Sequence, residues 1–238
     1  MKEAGALAFS SFILHSSSFD MSPILFALIP IAYLAGSIPF GLMVGMAKGV
    51  DPRKSGSGNI GATNVGRLLG GKFFALVFTL DLLKGLLPVL AAYFCLRHTE
   101  AGPMHYVLWL LIALAAVLGH MFSIFLKFTG GKGVATSTGV TLGLFPYYTI
   151  PCLLAASVWM VIFFIWRYIS LASIVGSIAF PIIYFLVALW AGWNPIEEQW
   201  PLLIFACLVP IMIVYKHRGN LARLRAGTEH RFAKTHHG

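Results

Sequence analysis

The sequence predicts an all-α, polytopic integral membrane protein, and two observations predict it. Of its 238 residues, 58% are hydrophobic and only 11% are charged, whereas ordinary soluble domains have about 45–50% apolar and about 25% charged residues. Several apolar runs also reach or approach the roughly 20 residues with which a helix crosses a bilayer. These runs lack the polar–apolar alternation of membrane β-barrels. Helices, which satisfy their own backbone hydrogen bonds, are therefore expected.

Seven apolar segments follow one another along the chain, so about seven transmembrane helices are predicted. The fourth and fifth segments are short and lie beside Pro146 and Pro151. They either cross the membrane separately or fuse into one re-entrant hairpin, and five spans is the alternative count. The segments comprise residues 23–47, 73–96, 105–127, 134–148, 151–166, 169–190 and 200–215.

The distribution of basic residues predicts the orientation of these helices. Cytoplasmic loops of membrane proteins carry an excess of Lys and Arg. With the N-terminus outside and the C-terminus in the cytoplasm, all of the 17 basic residues except Lys2, Lys84 and Arg97 fall in cytoplasmic segments. This asymmetry accounts for most of the net charge of +9. The charge therefore indicates a bilayer rather than nucleic acid as the partner.

The first twenty residues differ from the rest of the chain. Residues 1–20 have a weakly apolar centre and no clear A-x-A cleavage site, unlike a typical signal peptide. We expect a dispensable extension there, followed by a single transmembrane domain over residues 21–238. The three cysteines, Cys95, Cys152 and Cys207, lie in apolar stretches without the spacing of a metal or disulfide motif.

The first of three polar segments is the loop 48–72, which contains SGSGNIGATN. Gly-rich loops expose consecutive N–H groups that can bind an anion, and Arg and Lys are the usual partners of phosphate. A flexible linker is the alternative. GRLLGGKF at 66–73 has the spacing of a nucleotide P-loop, but Phe73 stands where that motif needs Ser or Thr for Mg²⁺. ATP binding is therefore excluded.

The second and third polar segments lie later in the chain. The turn 130–133, Gly-Gly-Lys-Gly, leads directly into a predicted helix, whose N-terminus attracts anions; an ordinary turn with a loop lysine is the alternative. His120 lies late in the third apolar segment, where a histidine is often functional, or else bonds to nearby backbone. In the tail 215–232, His217 and Asn220 share a helix face. A basic tail on anionic lipid is the alternative there.

Two charged residues lie inside the second apolar segment. Asp81 and Lys84 are three residues apart, so one helical turn can pair them and reduce the cost of placing charge in lipid. An H-x-x-x-x-D spacing occurs once, at His15 and Asp20 within the N-terminal extension, and no G-x-S-x-G or H-E-x-x-H motif is present. From the residues alone, the prediction is a membrane protein that handles phosphate.

Four motifs extend this prediction by resemblance. SGSGNIGATNVGRLLG, DLLKGLLPV, GHMFSIFLKFTGGKGVAT and HRGNLARLRAGTE, in this order, resemble the bacterial acyl-phosphate:glycerol-3-phosphate acyltransferase family over about residues 25–229. Only the tail departs slightly, with Asn-Leu where the family has Asn-Ile. The resemblance implies transfer of an acyl group from acyl phosphate to the 1-hydroxyl of sn-glycerol 3-phosphate, giving lysophosphatidic acid and phosphate. This reaction is the first step of phospholipid synthesis.

The resemblance also implies a site and a location. The site would lie on the cytoplasmic side of the bacterial inner membrane, without cofactor or metal, and functional coupling to the enzyme that makes acyl phosphate is expected. The base is either His217 or a phosphate oxygen of the substrate. The implied catalytic residues are Ser57, Arg67, Lys132, His217 and Asn220. The implied substrate-binding residues are Asn59, Thr63, Asn64, Gly130, Gly131, Gly133 and His120.

Two other functions use the same charges. A transporter of a phosphorylated solute would need cationic loops, but it would also need polar groups along an alternating path, and the predicted outer loops are short and mildly acidic. A non-catalytic lipid-binding scaffold would not need the placed Asn and His residues. Both are therefore less favoured than an acyltransferase.

Overall fold

The computed structural model describes residues 23–97 and 103–232, and its regular structure over these ranges is helical. Residues 1–20, the predicted extension, lie outside the described residues. The helices are α1 Pro23–Ser37, α2 Phe40–Ala47, α3 Ala62–Leu69, α4 Gly71–Leu96, α5 Pro103–Met121, α6 Val134–Gly143, α7 Thr149–Trp166, α8 Ile169–Trp190, α9 Trp200–Lys216 and α10 Arg218–Arg225, with a short 3₁₀ turn at Ile124–Leu126.

Five helical units of the described chain are long and apolar enough to cross a membrane. They are α1 with α2, α4, α5 with the 3₁₀ turn, α7 and α8; a sixth arises if α9 and α10, which meet at a 58° bend, count as one span. The polytopic helical class is confirmed, while the count of seven and the orientation stay predictions. α6 differs from the expected segment 134–148. It has ten residues, about 15 Å, or roughly half of the hydrocarbon core.

The first span is broken where Pro39 separates α1 from α2. A proline disrupts the helical hydrogen-bond ladder, and side chains from distant parts of the chain bind the carbonyls next to the break. Ser123 donates to the Ser37 carbonyl at 2.6 Å, and Lys84 Nζ donates to the Ile38 carbonyl at 2.7 Å. Lys84 also pairs with Asp81 at 2.8 Å. The predicted Asp81–Lys84 pair is therefore present, and it fixes α4 against this break.

Glycines bring α6 close to α4. A Cβ on Gly139 would collide with the Leu82 carbonyl, and one on Gly85 would collide with the Thr136 carbonyl. The G-x-x-x-G pattern at 139–143 therefore serves helix packing. The matching pattern at 41–45 packs differently, because Gly41 lies against the Ile60 carbonyl of the first polar loop. Both contacts set the positions of polar segments relative to the helices.

Candidate active site

The three polar segments meet at one end of the helix bundle, around a cavity of about 430 Å³. Because loops 48–61 and 127–133 and the tail 216–232 form this end, we call it the polar end. Most of the predicted site residues line this cavity. The structure therefore brings together residues that are far apart in the sequence. These residues are Ser57, Asn59, Thr63, Asn64, Arg67, His120, Lys132, Gly133, His217 and Asn220.

Asn64 organises the first polar loop. Its Nδ2 donates to the carbonyls of Pro52 and Ser55 at 2.9 and 3.0 Å, and its Oδ1 accepts from the Ser57 backbone N–H at 2.8 Å. The side chain is buried, with 1% exposure, so these bonds occupy both ends of its amide. Asn64 thus holds Ser57 at the cavity wall. The structure shows this positioning role, and the contact of Asn64 with substrate stays a prediction.

Arg67 projects from α3 into the same wall. Its Nη2 donates to the His230 carbonyl at 3.3 Å, which joins the first loop to the tail. Its Nε is buried and has no hydrogen-bond partner within the described residues. Burial lowers the pKa of Arg67 from its ordinary value, although a guanidinium keeps its charge in proteins. An incompletely hydrogen-bonded guanidinium in the wall of a cavity is suited to an anionic ligand.

Lys132 lies in the Gly-rich turn, one residue before Gly133, from which α6 begins as predicted. Gly133 has φ +87°, a backbone angle that glycine adopts without steric cost. Lys132 Nζ donates to Asn220 Oδ1 at 2.6 Å. Burial, together with the nearby cations Arg223 and Arg67, lowers the pKa of Lys132 to about 8. Its ammonium is therefore charged at neutral pH but poorly solvated.

Gly130 and Gly131 do not line the cavity. The Gly131 N–H donates to the His120 carbonyl at 3.0 Å. A Cβ on Gly130 would collide with that carbonyl, and one on Gly131 would collide with the His120 imidazole. Their visible role is to let the turn pack on His120, so their contact with substrate stays a prediction. His120 Nδ1 lies 3.7 Å from Asp81 Oδ1, and both side chains border the cavity.

His217 lies where α9 bends into α10. Its Nδ1 is 2.8 Å from the Ile213 carbonyl; because a carbonyl only accepts, Nδ1 carries the proton. Burial, and next the charge of Lys132, lower the pKa of His217 to about 4. The ring is therefore neutral at pH 7, and its Nε2 is an unprotonated hydrogen-bond acceptor. The His217 side chain borders the cavity.

Glu229 is the site residue that the sequence analysis did not select. Its Oε1 accepts from Asn220 Nδ2 at 2.6 Å and from Ser170 at 2.8 Å, and its Oε2 accepts from Arg223 Nε at 2.7 Å. Burial alone would raise the pKa of Glu229, but these three hydrogen bonds outweigh it and hold the pKa below its ordinary value. The ionised carboxylate orients Asn220, which in turn accepts from Lys132. In the sequence, the one feature that could have pointed to Glu229 is that it is the only acidic residue in the basic tail 215–232.

A second cavity of about 280 Å³ adjoins the first at the polar end. The two share Ser57, Asn59, Lys132 and Asn220. Three further cations, Lys216, Arg218 and Arg223, complete the wall of the smaller cavity, which has no carboxylate among its lining residues, all of them within the described chain. Two anionic groups can therefore be held side by side here, with Lys132 between them.

Away from the polar end the larger cavity becomes apolar. Its deeper wall comes from α7, α8 and α9 and includes Trp159, Phe180, Phe205 and Val209. A ligand with a charged head and a hydrocarbon tail would satisfy both regions, because each would contact groups of matching polarity. The arrangement is therefore suited to a lipid-like anion placed beside a second, small anion.

Comparisons with known proteins agree with this geometry. The family model described as glycerol-3-phosphate acyltransferase matches residues 26–227. A glycerol-3-phosphate acyltransferase of Trichlorobacter lovleyi is 47% identical over 201 residues, which cover 84% of this chain and 94% of the relative. One of Geotalea daltonii is 45% identical over 204 residues, which cover 85% of this chain and 95% of the relative.

Solved structures give the same result. A crystal structure of an integral membrane glycerol 3-phosphate acyltransferase, in its glycerol 3-phosphate form, has a TM-score of 0.74 and 42% identity, and the match covers 88% of this chain and 96% of that one. The lysophosphatidic acid form has a TM-score of 0.72, also at 42% identity, and the match covers 88% of this chain and 95% of that one. The family resemblance is confirmed. The chain belongs to the glycerol-3-phosphate acyltransferase family and is an integral membrane acyltransferase.

Proposed function

We propose that this enzyme transfers a fatty acyl group from acyl phosphate to the 1-hydroxyl of sn-glycerol 3-phosphate, giving 1-acyl-sn-glycerol 3-phosphate and inorganic phosphate. One observation carries the proposal: a mouth lined by cations from three separate segments opens into an apolar cavity between α7, α8 and α9. The solved relatives, described in glycerol 3-phosphate and lysophosphatidic acid forms, support the acceptor and the product.

The two cavities suggest where each substrate binds. The acyl chain of the donor lies in the apolar region, and its phosphate lies at the polar end. The acceptor's phosphate takes the neighbouring cationic space. Lys132 borders both cavities, so its ammonium offsets the repulsion between the two phosphates. Arg67, with its unpaired Nε, supplies a planar donor to one of them.

The chemistry needs no covalent enzyme intermediate, because an acyl phosphate is an activated mixed anhydride. The acceptor's 1-hydroxyl oxygen attacks the acyl carbon, forming the new ester bond. The bond between that carbon and the bridging phosphate oxygen then breaks, and phosphate leaves with the electron pair. Lys132 and Arg67 stabilise the charge that develops on the leaving phosphate. Holding both substrates in one site supplies much of the remaining acceleration.

The hydroxyl proton has two possible acceptors. His217 Nε2 is unprotonated at neutral pH, but a pKa of about 4 makes it a weak base in the free enzyme. Bound phosphates raise the pKa of a neighbouring imidazole, because opposite charge favours its charged form. The other acceptor is a phosphate oxygen of the substrates. Replacement of His217 separates the two, as described in the Discussion.

The proposal extends to the cellular setting. We place the enzyme in the bacterial inner membrane with the polar end in the cytoplasm, which agrees with the basic residues of the loops around it. The reaction opens phospholipid synthesis, and functional coupling to the enzyme that makes acyl phosphate follows from the donor. The proposed chemistry requires neither a metal nor a cofactor. We further propose that residues 21–238 form one catalytic domain and that residues 1–20 are dispensable.

A direct assay tests this function. Purified enzyme receives palmitoyl phosphate and labelled glycerol 3-phosphate, and labelled lysophosphatidic acid and free phosphate are measured together. The expected result is equal amounts of both products, with palmitoyl-coenzyme A as an inactive donor. Activity only with the coenzyme A ester would contradict the assignment of acyl phosphate as the donor. Uptake of labelled glycerol 3-phosphate into proteoliposomes without acyl transfer would instead support the transporter.

A further inference from the structure

The apolar part of the main cavity, which we call the apolar channel, has a defined depth. Along α8 its lining runs from Ile169 to Phe180, and along α9 it runs from His217 to Phe205. At 1.5 Å per helical residue, both paths span about 17 Å. The two helices therefore agree on where the channel begins, at the polar end, and where it stops, at Phe180 and Phe205.

The sides of the channel are smooth and apolar in character. Gly176 and Ala155 line the channel where α8 packs closely on α7, since a Cβ on Gly176 would lie 3.3 Å from Trp159 Cβ. Two hydroxyls on this wall have partners within the protein: Ser173 accepts from Trp159 Nε1 at 3.2 Å, and Ser177 donates to the Ile174 carbonyl at 2.9 Å. These bonds reduce the polarity that the wall presents to a ligand. An unbranched hydrocarbon chain is the ligand that such a wall fits.

The end of the channel is closed by an aromatic cluster. Phe180 and Phe205 are buried, and Tyr148 packs behind both of them, with ring centroids 5.1 and 6.3 Å away. Tyr184 packs against Tyr148 at 4.9 Å. The Tyr148 hydroxyl donates to the Leu202 carbonyl. Tyr148, Tyr184 and Leu202 do not line the cavity, so the two phenylalanines form its floor, supported from behind by closely packed rings.

We propose that Phe180 and Phe205 set the acyl-chain length that the enzyme prefers, by stopping the terminal methyl group at the floor of the apolar channel. This inference rests on the proposed function, since it assigns the channel to the acyl donor. Chains that reach the floor bury all their methylenes, while longer chains must bend or leave part of the tail outside. Each methylene gained or lost in such a pocket changes kcat/KM by about tenfold or more.

Two substitutions with opposite effects test the floor. Phe205→Ala deepens the channel, and Ser177→Phe fills it about one helical turn before the floor. The donors are decanoyl, palmitoyl, stearoyl and arachidoyl phosphate, and kcat/KM is measured for each. We expect Phe205→Ala to raise the arachidoyl-to-palmitoyl ratio about tenfold, and Ser177→Phe to shift the preference towards decanoyl phosphate. The KM for glycerol 3-phosphate should stay unchanged in both, because the floor is about 17 Å from the polar end.

Controls separate this effect from a loss of fold. Phe26→Ala removes a phenylalanine that is 50% exposed on α1, and it should leave the chain-length profile unchanged. If Phe205→Ala does not fold, judged by gel filtration in detergent, Phe205→Leu gives a smaller deepening with the same direction of change. Palmitoyl phosphate is the common donor in all comparisons.

Three outcomes are distinguishable. No acyl transfer by the unmodified enzyme would remove the proposed function itself. Transfer with an unchanged chain-length profile in folded variants of both Phe205 and Ser177 would overturn the floor. Such a result would mean that the chain leaves the channel between α7 and α8, past Met160, which lines the cavity and is 47% exposed. A shift in the expected directions would support the floor.

Discussion

Replacing Arg67 by alanine tests how the site binds phosphate. The guanidinium borders the cavity, its Nε has no partner among the described residues, and its Nη2 makes only a long contact of 3.3 Å with the His230 carbonyl. In the proposed complex the guanidinium makes two hydrogen bonds to a phosphate, and forming them breaks no strong bond. We expect Arg67→Ala to leave the fold intact and to remove both of these bonds.

The size of the effect follows from the number of bonds. A hydrogen bond to a charged group contributes about 1.5–3 kcal/mol, so two such bonds contribute about 3–6 kcal/mol. Since 1.36 kcal/mol corresponds to a factor of ten in rate, kcat/KM should fall by roughly 10²–10⁴-fold. Arg67→Lys keeps the charge but not the planar fork. It should lose one of the two bonds, which is a fall of roughly 10–100-fold.

The assay measures kcat/KM for glycerol 3-phosphate at saturating acyl phosphate, and kcat/KM for acyl phosphate at saturating glycerol 3-phosphate. The substrate whose kcat/KM falls more is the one whose phosphate Arg67 binds. Arg53→Ala is the matched control: it removes the same charge from the same loop, but Arg53 is exposed and paired with Asp51 at 2.8 Å. We expect a change of about twofold or less for this control. Nearly full activity of Arg67→Ala for both substrates would refute the assigned role.

Three further outcomes follow from the geometry of the site. Because the pKa of Lys132 is about 8, kcat/KM should decline as pH rises through that value and the ammonium loses its proton, and Lys132→Arg should move the decline to higher pH. If His217 is the base, His217→Gln should lower kcat by roughly 10²–10⁴-fold, measured in single turnovers. Glu229→Gln should lower both activity and the melting temperature in detergent, the latter by roughly 5 °C, because the buried carboxylate loses its charge-assisted bonds.

Each of these outcomes has a result that contradicts it. An alkaline decline that stays in place in Lys132→Arg would show that another group titrates. A His217→Gln enzyme that retains its rate would leave the substrate phosphate as the base. Glu197→Gln, at an exposed acid, is the control for Glu229, and equal melting temperatures of the two variants would remove the structural role of the Glu229 network.

Hydropathy predicted the helical class because burial in lipid constrains composition over whole segments, and five long apolar units indeed form. It did not predict the break at Pro39, since the carbonyls next to it are bound by Lys84 of α4 and by Ser123 in the connection after α5. It also overestimated α6, which ends at Gly143. Pro146 disfavours helical backbone at the residue before it, which favours an early end of the helix. Apolar composition continues past that end, so hydropathy placed the boundary too late.

For the site, too, the sequence predicted some features of the polar segments and not others. Motif resemblance selected Lys132, His217 and Asn220, and the structure brings all three to one cavity. The function of Asn64 in holding its own loop depends on contacts with Pro52 and Ser55, and spacing alone does not distinguish such a contact from one to substrate. The sequence analysis did not select Glu229, because its role depends on hydrogen bonds with Ser170, Asn220 and Arg223 that only the folded chain brings together.

In the proposed function, the charges of the polar end fulfil different parts of one requirement, which is to hold two anions together. Arg67 keeps its charge at any relevant pH. Lys132, with a pKa of about 8, depends on its surroundings, and a bound phosphate must raise that pKa because it favours the ammonium. By linkage, phosphate binding and proton retention on Lys132 strengthen each other. Glu229 does not repel the substrates strongly, because three donors already occupy its carboxylate. Bound substrate therefore preserves the charge of Lys132 to higher pH. Glu229, which also lines the cavity, meanwhile keeps the Asn220 amide oriented towards Lys132.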